Sequence, residues 1–198
     1  MSVKVVINTS KMELHRHERC QQIAKEMELI FNSSLFKEKF LAMKPVGELS
    51  EWRNEERLPE LYNYIMSGAN ILDPVKDGVI EIELDDYYKR FGSAVGYTYP
   101  NTRTIFVNTK YFDSFNNKYA GSNIAHELCH KCGAEHDFKS TARRPYSVPY
   151  LVNNIYEQCH DILIGNKNEE LPEWVQVCYR PWYRFGFKKC VWIKNKLN

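Results

Sequence analysis

The feature that most constrains this chain is the string His126-Glu127-Leu128-Cys129-His130-Lys131-Cys132-Gly133-Ala134-Glu135-His136. On a helix, His126 and His130 lie about 40° apart around the axis and project from one face. Two imidazoles so placed can hold one zinc ion, with Glu127 near the water that the metal binds. Gly133 tolerates the left-handed backbone that ends a helix. The chain is then free to turn and bring His136 back as a third nitrogen ligand. Cys129 and Cys132 have the spacing of a redox or zinc pair. Lying inside the histidine string, they read instead as packing positions on the helix and at its end.

Composition narrows the remaining choices. The 198 residues suit one domain, or one domain with a small appendage. A hydrophobic share of 43% supports a core, and 26% charged residues is ordinary for a globular protein. A net charge of +2 gives no electrostatic case for nucleic acid or a membrane surface. No apolar run approaches the roughly 20 residues needed to span a bilayer. The start, Met1-Ser2-Val3-Lys4, turns polar too early for a signal peptide, so the expected location is cytoplasmic, with export by another route left open. In that compartment the six cysteines would be reduced. In an exported protein, Cys178 and Cys190 could close a hairpin.

Read in order, the chain changes period several times. Residues 3–8 have the β-branched content of a strand. From Glu13 to Lys44 the pattern is helical, with Leu14, Ile23, Met27, Ile30 and Phe31 on one face. Asn32-Ser33-Ser34 interrupts this helix and Pro45 stops it. His15 and His17 sit in a charged setting and are expected on the surface. A further helix is expected from Glu51 to Ser67, carrying Leu61, Tyr64 and Ile65 and ending at Gly68. Alternation then marks strands at Val79–Leu84, Ser93–Tyr99 and Thr104–Asn108, the last two forming an antiparallel hairpin around Pro100-Asn101. Asn116-Asn117 precedes the motif helix, expected over Tyr119–Cys132. A second long helix is expected from Val148 to Ile164, with Leu151, Ile155, Cys159 and Ile162 sharing a face and Gly165 ending it. From Trp174 to Asn198 come seven aromatics and six Lys or Arg with no acid. That mixture can bind nucleic acid or an interfacial membrane. Here it is read as closing the core or walling a cleft.

The full pattern HExxHxxGxxH resembles the zinc-binding signature of the metzincin metallopeptidases, and the match is complete over His126–His136. The fold this resemblance implies is α+β, a metzincin-like zincin. Its parts are a mixed twisted sheet with a long N-terminal helix, an active-site helix and a C-terminal helix. Residues 1–198 would form a single metallopeptidase domain. Its N-terminal subdomain, 1–136, would hold the sheet and active-site helix, and 137–198 would be a smaller C-terminal subdomain across a cleft. The resemblance makes His126, His130 and His136 the ligands of one catalytic Zn2+. It makes Glu127 the general base of a metalloendopeptidase acting on a peptide or protein. Three neutral histidines leave a coordination position for water, whose pKa the metal lowers towards ~7. Glu127 would move that water's proton to the leaving amine.

Two departures from the family stand out. Metzincins carry a methionine turn beneath the zinc, and this chain has no methionine after Met66. The segment Tyr146-Ser147-Val148-Pro149-Tyr150 is similar to that turn, with Val148 or Pro149 at the methionine position. By the same resemblance, Tyr150 is a tyrosine that reaches the zinc or the oxyanion. The second departure is Glu157-Gln158-Cys159-His160-Asp161, similar to the downstream motif of the gluzincins, in which Glu157 would be the third ligand instead of His136. With His136 as ligand, Glu157 and Asp161 would orient a ligating histidine or pair with Arg143 and Arg144. A third reading is a binding module that keeps zinc for structure and uses the basic aromatic tail as its contact surface. Among the strands, Thr104–Asn108 is the expected sheet edge for an extended substrate. The oligomeric state is left open.

Overall fold

Alternating branched residues build the first strand, β1 (Lys4–Asn8), in which Val5 and Ile7 are buried and Lys4 and Asn8 exposed. The computed structural model describes residues 2–46, 55–99, 101–165, 174–179 and 189–194. After β1 come α1 (Leu14–Phe31), α2 (Ser34–Leu41) and, following a short 3₁₀ turn, α3 (Leu58–Ile65). The strands β2 (Val79–Tyr87), β3 (Gly96–Thr98) and β4 (Thr104–Asn108) follow. The one-turn α4 (Thr109–Phe112), the motif helix α5 (Asn117–Lys131) and α6 (Val148–Leu163) come next, then β5 (Trp174–Tyr179) and β6 (Lys189–Lys194). The content is mixed helix and strand, as an α+β reading requires. No helix among the described residues is long and apolar enough to cross a membrane.

The sheet has the order β1-β2-β4-β3, with β1, β2 and β4 parallel and β3 antiparallel to β4. Register pairs Ile7 with Ile82 and Leu84 with Ile105, so a row of buried branched side chains runs across the strands. Glu81 and Glu83, between those positions on β2, are exposed. One face is therefore apolar and the other wet, a pattern more usual for antiparallel sheets. The hairpin expected around Pro100-Asn101 is present, but Thr104–Asn108 is not the edge. β4 is paired on both sides, and β3 stands at the edge instead.

The helices depart from expectation at their ends and faces. Ser33 interrupts the N-terminal run by accepting a hydrogen bond from the Phe36 amide at 3.0 Å, which caps α2. Leu14 is 61% exposed and His15 only 7%, the reverse of the expected assignment, because Leu14 lies about half a revolution around the helix from Ile23 and the inward stripe runs through His15, Cys20, Ile23 and Met27. On α6, Ile162 faces solvent, and Val148, Val152, Ile155, Tyr156 and Cys159 are buried. In the expected helix from Glu51, residues 51–54 lie outside the described set, and the regular α-helix begins at Leu58. Gly68, at φ +79°, ends that region where a Cβ would meet the Val79 carbonyl oxygen at 2.2 Å.

Polar residues of α1 hold the segment that leads into the motif helix. Arg16 grips Asp113 through two bonds of 2.9 and 2.7 Å and reaches Asp86 at 2.6 Å. Arg19 donates to the carbonyls of Phe112 and Phe115 and to Asn117. Glu26 accepts from Gln22 at 2.9 Å and Asn117 at 3.2 Å and pairs with His160 of α6 at 3.3 Å. Three helices thus meet at one carboxylate. Burial pushes the Glu26 carboxyl up, but these bonds outweigh it and hold it below the usual range.

The chain divides into two compact units, Met1–Ile164 and Gly165–Asn198, so residues 137–164 belong with the motif helix. In the second unit β5 and β6 pair antiparallel with Cys178 opposite Cys190 in the register. Trp182, Tyr183, Phe185 and Phe187, central to the reading of the tail as a core closure, lie outside the described residues.

Within the first unit, α5 and α6 approach closely at Gly121. A Cβ there would lie 2.3 Å from the Tyr156 hydroxyl oxygen, which is buried and has no hydrogen-bond partner among the described residues. Gly121→Ala should therefore cost about 1–3 kcal/mol in urea unfolding through overpacking. Tyr156→Phe, which removes an unpaired hydroxyl, should be nearly neutral alone and should recover part of that loss when combined. Strict additivity of the two changes would contradict this packing.

Candidate metal centre

The site is built on the C-terminal half of α5. Asn116 caps the helix by accepting from the Tyr119 amide at 3.1 Å, and Ala120, Ile124, Ala125, Leu128 and Cys129 are buried along it. Its histidines occupy consecutive turns, with the His126 and His130 rings 5.1 Å apart. The helix then ends in a Schellman turn. The Gly133 amide donates to the His130 carbonyl at 3.1 Å and the Ala134 amide to the Cys129 carbonyl at 3.0 Å. Gly133 takes φ +83°, a conformation that a side chain opposes. The reversal brings the His136 ring to 5.3 Å from His126 and 4.9 Å from His130.

One nitrogen from each of these histidines lies within 4.8 Å of the others, and the group could hold a metal ion. Two observations fit that role. First, the rings are held by carbonyls: His130 Nδ1 bonds the Ala134 oxygen at 2.7 Å, His136 Nδ1 bonds the Asp137 oxygen at 3.1 Å, and the Pro149 backbone bonds His126. Carbonyl bonds of this kind fix the tautomer and orientation of ligating imidazoles. Second, all three rings favour the neutral, electron-donating form. Burial and the neighbouring imidazoles hold His126 well below its ordinary pKa and His130 at about 4, and burial also lowers His136. His126 is buried, whereas His130 and His136 are partly open. Among the described residues no fourth His, Cys, Asp or Glu joins the group.

The residues around the three histidines separate the alternatives left open by the sequence. Glu127 is 5% exposed, and burial pushes its carboxyl up to about 7 against the opposing charge of Lys131. The Tyr150 ring lies 4.7 Å from that of His126 and 5.1 Å from that of His136, so it does stand at the site. Val148 is buried at the head of α6, and the neighbouring Pro149 reaches His126 through its backbone. Glu157 is not with the histidines. Its carboxylate accepts from Ser122 at 3.0 Å and Asn153 at 2.9 Å. Asp161 pairs with Lys118 at 3.0 Å rather than with a ligating histidine or the arginines. Cys129 and Cys132 are buried, and burial pushes Cys132 up to about 12 and Cys129 well above its usual value. His15 is packed beside Glu13 at 3.4 Å, while His17 is exposed and bonded to Thr9.

Two positions at the site have roles that the sequence reading did not give them. Lys131 is only 4% exposed and donates to the carbonyls of Tyr99 and Thr102, which ties the β3–β4 turn to the motif helix. Its spacing from Glu127, one helical turn, was the available signal. Arg144 stands over the Tyr150 ring, with Cζ 5.4 Å from the centroid. Nothing local in Arg143-Arg144-Pro145 marks it, because the connection that positions it has no period. Comparison of the chain with protein-family models, with curated proteins and with solved structures finds no match.

Elemental analysis of the purified chain should find one metal ion per molecule. His136→Ala should lose it, and Glu157→Ala should retain it. Retention by the first variant and loss by the second would move the third ligand to α6.

Proposed function

We propose that the chain is a zinc-dependent peptidase of metzincin-like architecture, cutting peptide bonds within an extended substrate. The observation that carries this reading is a buried glutamate on the same helix as two histidines of a three-nitrogen site. A purely structural ion has no use for that carboxylate. His126, His130 and His136 would hold the ion. Zinc in such a site lowers the pKa of water and polarises a carbonyl oxygen.

The remaining roles belong to the side chains. Glu127 accepts the proton of the attacking water and passes it to the nitrogen of the leaving amine. Its position next to His126 keeps it on the motif helix, and its low exposure raises its basicity above that of a surface carboxylate. Tyr150, whose ring lies against those of His126 and His136, would donate its hydroxyl proton towards the developing oxyanion. The edge strand β3 supports the choice of a peptide. Its outer side, unpaired among the described residues, can take an extended chain by backbone bonding. Gly96 brings β3 against α5, where a Cβ would lie 2.7 Å from the Asn123 side-chain oxygen, and Lys131 secures the turn that follows β3. In this reading the family's methionine is replaced by Val148 and Pro149.

Glu127→Gln keeps the shape of the side chain and removes its proton-accepting charge. The variant should bind metal as the wild type does and cleave a peptide library at least ~100-fold more slowly. Cleavage at the wild-type rate by a metal-loaded variant would remove Glu127 from the reaction.

A further inference from the structure

Arg144 has a setting that neither helix packing nor the three histidines account for. Its guanidinium lies over Tyr150, the ring that touches His126 and His136. It is fixed in place by a bond from Nη1 to the Phe138 carbonyl at 3.1 Å, and its backbone amide is held by Thr141. Nε is buried and has no hydrogen-bond partner among the described residues. No carboxylate among the described residues pairs with Arg144. Asp137, an acid of the same connection, is instead engaged by the Thr141 hydroxyl.

This arrangement costs free energy unless an anion completes it. A guanidinium can make five N–H bonds, and a buried unmet donor is expensive. Its positive charge also stands close to the histidines, on the Tyr150 ring that touches those of His126 and His136. A cation held by those rings would be repelled by it. An anion between the two would remove both penalties. Carboxylate is the anion whose planar shape matches the guanidinium fork, and a peptide offers one at its C-terminus or on an Asp or Glu side chain.

We propose that Arg144 is the specificity-determining residue of this site and selects substrates with a carboxylate close to the bond that is cut. The proposal rests on the peptidase reading above for its substrate. Its test does not require turnover. In the metal-loaded Glu127→Gln protein, binding is measured for three peptides of one sequence: with a free C-terminus, with an amidated C-terminus, and amidated with a glutamate near the end. At least one carboxylate peptide should bind about tenfold or more tighter than the neutral one. Arg144→Gln, which keeps a planar side chain without charge, should reduce that preference about tenfold with metal content and Tm unchanged. Arg144→Lys should retain part of it, since a point charge replaces the fork.

Preference for the free C-terminus would identify a terminal carboxylate as the ligand, and preference for the glutamate peptide a side-chain carboxylate. Either supports the assignment. Equal binding of all three peptides, or a preference that survives Arg144→Gln, would overturn it and leave the metal reading standing. A chain that takes up no metal would instead contradict the peptidase reading, and the unmetallated protein with the same peptides would still report on Arg144.

Discussion

The arrangement of the three histidines depends on one backbone event, the reversal of the chain at Gly133. Helical geometry aligns His126 with His130 at no cost, but it cannot supply a third ligand from the same face within bonding range. The left-handed residue ends the helix, and the hydrogen bonds of that turn fix the path of the next three residues. The same turn presents the Ala134 carbonyl to His130. One glycine therefore both returns His136 and provides the bond that orients His130. A side chain at that position would strain the turn by about 1–2 kcal/mol and loosen His130 and His136 together.

Around this turn the fold acts as a brace. The arginines and Glu26 of α1 fasten the start of α5, Lys131 fastens its end to the β3–β4 turn, and Gly121 lets α6 approach. The approach of α6 brings Pro149 and Tyr150 to the histidines. The site is thus held from both ends of one helix, and the connection 137–147 supplies what the helix lacks, including Arg144.

Much of this was legible in the sequence where a local rule applied. The period of the motif, the glycine after it and the polar break at Asn32-Ser33 placed α1, α2 and α5 correctly, because caps and turns are decided by neighbouring residues. The position of Tyr150 beside the histidine rings was legible from its offset after the motif. What failed was decided by tertiary neighbours. Strand order depends on pairings between distant segments, so Thr104–Asn108 was taken for the edge when β3 covers it. Glu157 has permissible spacing for a ligand, yet its orientation on α6 sends it to Ser122 and Asn153. Leu14 lies about half a revolution from Ile23 on the helix, so His15 and not Leu14 turns inward. Arg144 was read only as a partner for Glu157 or Asp161, since an irregular connection carries no periodic signal for its place over Tyr150.

X-ray absorption at the edge of the bound metal tests the central claim most directly, because it counts the donors around the ion. The account predicts three imidazole nitrogens at ~2.0–2.1 Å, with a light atom in the remaining position and no sulfur. A sulfur shell at ~2.3 Å would contradict it, since the ion would then sit on the thiols of Cys129 and Cys132 rather than on the histidines.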